Sequence, residues 1–309
     1  CNYLFVEKQK SNFAGNLMAM YPTPHYTLNF RGKLVELQRP WVMGILNVTP
    51  DSFYAESRTP MAEPVGIAER AEKMLLEGAD IIDVGAYSSR AGAEDISPLE
   101  EMKRLEVALA AVRNVAPDVY VSVDTFRADV ARQCVEHFGV DAINDISGGL
   151  LDKSMPKVVA KLGVPYIIMH MQGKPATMQQ APEYKDVVAE VLEFLARQQQ
   201  RFYESGGKDV IVDPGFGFGK TLQHNYHLMN RLEDLHELHA PLLVGVSRKS
   251  MIYKLLETTP QEALNGSTVL HTIAMMKGAH LLRVHDVKAA VEARSLLETM
   301  WQTGKTKDE

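Results

Sequence analysis

Residues 210–220 read VIVDPGFGFGK. Three β-branched apolar residues run directly into Asp213, and Pro214 with three glycines follows. A short apolar run without polar alternation fits a strand buried on both faces, as in a parallel sheet. Proline and glycine then stop it. One strand therefore ends in a carboxylate, beside backbone free to take unusual torsions.

The same pattern recurs outward in both directions. Apolar runs bounded by turn residues occur at Trp41–Leu46, Ala79–Val84, Val119–Val123, Asp141–Ile143, Tyr166–Met169, Val210–Val212, Leu242–Val246 and Leu281–Val284. Segments of helical period lie between them, among them Pro98–Val115, Ala128–Phe138, Tyr184–Ser205 and His285–Met300. Several open on capping-type residues, as at Ser97-Pro98 and Asp152. Eight such strands alternating with helices, with no linker-like stretch, predict an α/β fold: one (β/α)8 TIM barrel, with an open doubly wound sheet as the alternative. Ahead of the first strand, TLNFRGKLVEL (residues 27–37) reads as an N-terminal β-hairpin turning at Arg31-Gly32. The expected organisation is an N-terminal extension over 1–24, the barrel over 25–302 and a frayed tail over 303–309.

Bulk properties narrow the function. The chain has 309 residues, 46% hydrophobic and 23% charged, enough for a core that needs no staples. A formal net charge of −6 argues against a nucleic-acid binder that works by bulk charge. Two cysteines, Cys1 and Cys134, give no disulfide framework and fit a reducing, cytoplasmic compartment. No apolar run reaches the ~18 residues of a membrane span, and the N-terminus lacks the order of a signal peptide. A leading Cys in place of Met is expected of a fragment or a misplaced start, with Met18 and Met20 as candidate starts.

Barrel enzymes work where strands end and βα-loops begin. Here those positions hold Asn47, Ser89-Arg90, Asp124, Asn144, His170, Asp213, Ser247-Arg248-Lys249-Ser250, Arg283 and His285. Arg283 interrupts an apolar run and shares a face with His285. It reads either as a structural ion pair inside the barrel or as half of an anion site, with the basic SRKS loop alongside. Two basic loops at one corner predict a phosphate or diphosphate ligand. Asp124, Asn144, Asp213 and a lysine suit a flat heterocycle with adjacent donors and acceptors, although Asp124 also reads as a helix cap. Phe53 and Phe218 suit an aromatic slot. No zinc pattern is present. Mg2+ held mainly by substrate phosphate needs only one or two protein ligands, and Asn47 is a candidate, or else a turn residue. GFGFGK lacks the spacing of a Walker A loop.

Eight stretches together resemble the dihydropteroate synthase family, in family order: MGILNVTPDSF (43–53), IIDVGAYSSRAGA (81–93), SVDT, NDISGG, MHMQG, DPGFGFGK, SRKS and RVHD. The resemblance covers roughly residues 28–300. It implies that Asp124, Asn144, Asp213 and Lys249 hold a pterin, with Ile146 and Met169 packed against its ring and Phe218 beside it. Ser89, Arg90, Arg283 and His285 would deal with diphosphate. Phe53, Phe218 and Ser250 would border p-aminobenzoate, and Asn47 would bind Mg2+. Asp124, Asp213, Lys249 and Arg283 would carry the chemistry. The resemblance also implies small-molecule substrates, a homodimer and sensitivity to sulfonamides.

Two departures stand in the loops. The family's S/T-R-P-G reads Ser89-Arg90-Ala91-Gly92, and the aspartate after DSFS is replaced by Ala55, beside Glu56. Proline fixes φ, a restriction Ala91 lacks, so altered sulfonamide sensitivity is expected. Three other readings compete: the pterin-binding domain of a methyltetrahydrofolate methyltransferase, a lapsed homologue that only binds pterin, and a lysine-dependent aldolase using Lys249.

Overall fold

The computed structural model describes residues 24–49, 64–88, 95–173 and 182–303. An antiparallel hairpin, β1 (Tyr26–Phe30) and β2 (Lys33–Leu37), comes first. Its two-residue turn places both Arg31 (φ 49°) and Gly32 (φ 85°) in the left-handed region, the requirement of a type I′ turn that matches strand twist.

Eight parallel strands follow: β3 (Trp41–Asn47), β4 (Ile81–Gly85), β5 (Tyr120–Asp124), β6 (Ala142–Asp145), β7 (Tyr166–Met169), β8 (Val210–Asp213), β9 (Leu243–Val244) and β10 (Leu281–Val284). They pair in the order β8-β7-β6-β5-β4-β3-β10-β9. A parallel bridge between Val212 and Leu242 joins the two ends of that order, so the ring closes and the open-sheet alternative is excluded. The helices α1 (Pro64–Leu76), α2 (Pro98–Val115), α3 (Ala128–Phe138), α4 (Met155–Leu162), α5 (Val187–Glu204), α6 (Leu222–Asn230), α7 (Ser250–Tyr253), α8 (Leu264–Met276) and α9 (Val287–Thr303) surround it.

Two boundaries differ from the sequence reading for local reasons. Helix α5 starts at Val187, not Tyr184, because the Asp186 carboxylate accepts from the amides of Val188 (2.9 Å) and Ala189 (3.1 Å) and caps it. Asp152 does open a turn before α4, but its second oxygen accepts from the Ala128 amide at 2.8 Å and caps α3.

Side chains alternate in and out along each strand. Outward residues such as Val42, Ile82, Val121, Ile168 and Leu282 pack under the helices. Inward residues near the strand starts (Met43, Ile81, Ala142, Ile167, Ile211, Leu243 and Leu281) form a second apolar cluster with Leu28, Phe30 and Leu37 of the hairpin. Phe30 stacks on Trp41 at 5.6 Å and lies 4.9 Å from Tyr120. The hairpin is thus the floor of the barrel. Arg31 ties it down through Asp141 (2.6 Å), which also holds Arg113 and the Val121 amide.

Candidate active site

Two residues beyond the floor residues, the inward positions become Asp83, Asn144, Met169, Asp213, Gly245 and Arg283, with Ile45 on β3, and Ser122 and Asp124 continue the series on β5. The alternation that builds the floor therefore also aims these side chains into the barrel mouth.

At the centre lies an ionic network. Arg283 donates from Nε to Asp83 Oδ2 (2.7 Å) and from Nη2 to Asp124 Oδ2 (2.8 Å). Asn144 Nδ2 donates to the same Asp83 oxygen at 3.0 Å. Asp83 is fully buried and its Oδ1 has no hydrogen-bond partner, so Arg283 and the Asn144 amide, both on Oδ2, compensate its burial. Asp124 is no helix cap. Burial pushes its carboxyl up to about 7, although 21% of the side chain still reaches solvent, and Arg283 pulls the other way. For Arg283 burial is outweighed by Asp83 and Asp124, and its pKa rises. The structural ion pair predicted for Arg283 is present, and it occupies two of the five N–H donors.

The β8 loop forms the opposite wall. Asp213 Oδ1 accepts from the Gly215 amide at 2.7 Å. Burial raises its carboxyl, with Lys249 opposing. Lys249 donates to the Phe216 carbonyl at 2.5 Å and lies 4.8 Å from the Phe218 ring centroid. Burial lowers its ammonium to about 8, against the pull of Asp213. Ile146 and Met169 are both buried, and Met169 pairs with Asp213 across the β7–β8 register. Gly215 has φ 69°, and a Cβ there would sit 1.9 Å from the His170 carbonyl oxygen; only glycine lets the two loops touch.

Lys220 holds that contact. Its buried ammonium donates to the Gly215 carbonyl (2.9 Å) and the Phe218 carbonyl (3.2 Å) and lies 2.9 Å from His170 Nδ1. Burial pushes Lys220 down to about 7 and His170, with Lys220 as second cause, down to about 2. His170 is therefore a neutral acceptor at Nδ1. Tyr184 donates to the Gly219 carbonyl at 2.7 Å.

The basic corner is smaller than the sequence suggested. Arg248 does not face an anion site: it forms a two-pronged pair with Asp286 (2.7 and 2.8 Å) and donates to the Pro260 and Gln261 carbonyls. Of SRKS, Lys249 packs on the β8 loop, and Ser250 follows it at the start of α7. His285 borders a cleft of about 460 Å³ between α1 and α9. Asn47 Oδ1 and Asp124 Oδ2 lie 3.0 and 3.8 Å from the point where Gly85 lacks a Cβ. The Asn47 side-chain oxygen, a hard donor at the mouth end of β3, fits Mg2+ completed by phosphate and water; Asp124 Oδ2 is already held by Arg283. Among the described residues no three His, Cys, Asp or Glu side chains group as a metal site. Phe53, Ala55, Glu56, Ser89, Arg90 and Ala91 lie outside the described residues.

The sequence reading missed two residues. Asp83 sits inside the apolar run IIDVG, as Arg283 sits inside LLRV; opposite charges buried in two strands of one barrel were the available signal. Lys220 had only its place at the end of a glycine loop.

A closed parallel barrel with charged side chains gathered at the carboxyl ends of its strands has the build of an α/β-barrel enzyme. Residues 43–285 match the family of pterin binding enzymes. The chain is 44% identical over 270 residues to the dihydropteroate synthase of Escherichia coli K12, covering 87% of this chain and 94% of the relative. It superposes on a crystal structure of Yersinia pestis dihydropteroate synthase with a sulfonamide drug, with a TM-score of 0.83, 41% identity, and 90% and 100% of the two chains covered. Against the Thermus thermophilus enzyme in complex with 4-aminobenzoate the TM-score is 0.79, with 41% identity and 89% and 100% covered. The chain belongs to the dihydropteroate synthase family of pterin-binding enzymes.

Proposed function

We propose that this protein condenses 6-hydroxymethyl-7,8-dihydropterin diphosphate with p-aminobenzoate, giving 7,8-dihydropteroate and diphosphate for folate synthesis. The observation that carries the reading is the paired arrangement at the mouth: Arg283 held between Asp83 and Asp124, facing Asp213 and Lys249. Asp213, with one oxygen anchored on the Gly215 amide, takes N–H groups of the pyrimidine edge. Asn144, anchored on Asp83, presents its amide oxygen. Lys249 donates to the ring, and Ile146 and Met169 pack on its face.

The C–O bond to diphosphate breaks, and the leaving group takes the electron pair. Positive charge then spreads from the CH2 into the pterin. Asp124 and Asp213 line the mouth where that cation develops, and their ionised forms stabilise it electrostatically. The p-aminobenzoate nitrogen forms the new C–N bond and loses a proton. No covalent intermediate is needed, so Lys249 binds and does not form a Schiff base. Phe218 and Ser250 border the p-aminobenzoate side. Arg283 and His285, with Ser89 and Arg90 by family resemblance, receive the diphosphate. Asn47 would hold Mg2+, which when bound would supply positive charge to the leaving diphosphate.

No helix among the described residues is long and apolar enough to cross a membrane. A cytoplasmic location, a homodimer and a sulfonamide response altered at Ala91 complete the reading by family resemblance. The test is an assay with both substrates, with and without Mg2+. Diphosphate release is expected only when p-aminobenzoate and Mg2+ are present; release indifferent to p-aminobenzoate contradicts the proposal.

A further inference from the structure

Arg70, on α1, is a half-buried cation that no sequence reading singled out. Its Nη1 donates to the Asn47 carbonyl at 3.3 Å, which places the guanidinium at the mouth end of β3, beside the candidate Mg2+ ligand. It also lines the 460 Å³ cleft that His285 borders. The acids around that cleft already have cations: Glu77 has Lys73 at 3.8 Å, Glu292 has Lys288 at 3.9 Å, and Asp286 has Arg248 at 2.7 Å. Among the described residues, Arg70 has no carboxylate within ion-pair distance. A guanidinium carries five donors in a planar fork suited to phosphate oxygens, and one weak carbonyl contact uses only one of them.

We propose that Arg70 is a further diphosphate-binding residue, closing the anion subsite from the α1 side opposite His285. The alternative is that Arg70 only braces the end of β3 through the Asn47 carbonyl.

The inference rests on the synthase reading, and one set of measurements separates the two. Wild type, Arg70→Gln and Arg70→Lys of the full chain are titrated calorimetrically with inorganic diphosphate in Mg2+ and with diphosphate-free hydroxymethylpterin. Their KM values for the pterin diphosphate are measured alongside. Arg70→Gln is expected to weaken diphosphate binding and to raise that KM by about tenfold or more, the usual worth of a charge-assisted bond. Arg70→Lys recovers part of the loss, and the diphosphate-free pterin binds all three equally. Equal diphosphate affinity in wild type and Arg70→Gln overturns the proposal. So does a parallel loss of the diphosphate-free pterin, which assigns Arg70 to bracing β3. Absence of p-aminobenzoate-dependent turnover in the wild type overturns the synthase reading instead, and the diphosphate titration still decides Arg70.

Discussion

Along β10, Leu281 and Arg283 point the same way, yet one ends in the apolar floor and the other in the ionic mouth. The same step separates Ile81 from Asp83, Ala142 from Asn144 and Ile211 from Asp213. The floor is held by burial, which is non-directional and tolerant of shape changes. The mouth is held by a few charges that compensate one another and lose that compensation when any one is removed. One strand scaffold thus supports a stable end and an end whose charges are poised for a ligand.

Paired substitutions at the two ends break this comparison most sharply. Arg283→Met leaves Asp83 and Asp124 without their cation. It is expected to lower kcat/KM by about 10³-fold or more and stability by about 3–5 kcal/mol. Phe30→Ala, in the floor, is expected to cost about 3–5 kcal/mol in stability with kcat/KM unchanged below its unfolding transition. Denaturant unfolding and steady-state kinetics on both variants check this; equal kinetic losses would erase the distinction between the two ends.

A smaller effect is expected at the joint between the β7 and β8 loops. Lys220→Met removes three contacts of one ammonium. The loop carrying Phe216 and Phe218 then loses its anchor, and KM for both substrates should rise about tenfold while kcat changes less. A change confined to thermal stability would reduce Lys220 to a packing role.

The smallest effect is a pH dependence. The Asp124 carboxyl is raised to about 7, first by burial, with Asp83, Glu101 and Asp145 adding to the rise and Arg283 opposing it. Its ionised form is the one that accepts an N–H, so pterin affinity should climb as pH rises through about 7. The sign for stability is the reverse: a folded pKa above the unfolded value favours the fold below about pH 4 and loses that contribution as pH rises through about 7. Calorimetric titration from pH 5.5 to 8.5 (about three units around that value) should show the climb in wild type and a flat profile in Asp124→Asn.

The barrel was legible in the sequence because eight buried strands are short, apolar and followed by polar or glycine residues. Asp124, Asn144, Asp213, Lys249 and Arg283 were legible because they stand at those ends. Their partners were not. Asp83 and Arg283 are 200 positions apart, and only ring closure, with β3 between β4 and β10, brings them together. Arg248 looked like an anion ligand until Asp286 was found to occupy it. The start of α5 was misplaced because Tyr184 is apolar enough to continue the helical pattern, whereas Asp186 caps the chain two residues later.

The central claim is that the inward polar layer above the floor is the pterin site. A crystal structure of the protein with bound hydroxymethylpterin tests it most directly. The account predicts the pyrimidine edge within about 3 Å of Asp213 and Asn144, Lys249 at the ring and Met169 against its face. A heterocycle bound in the cleft between α1 and α9, with Asp213 and Asn144 making no contact to it, would contradict the account.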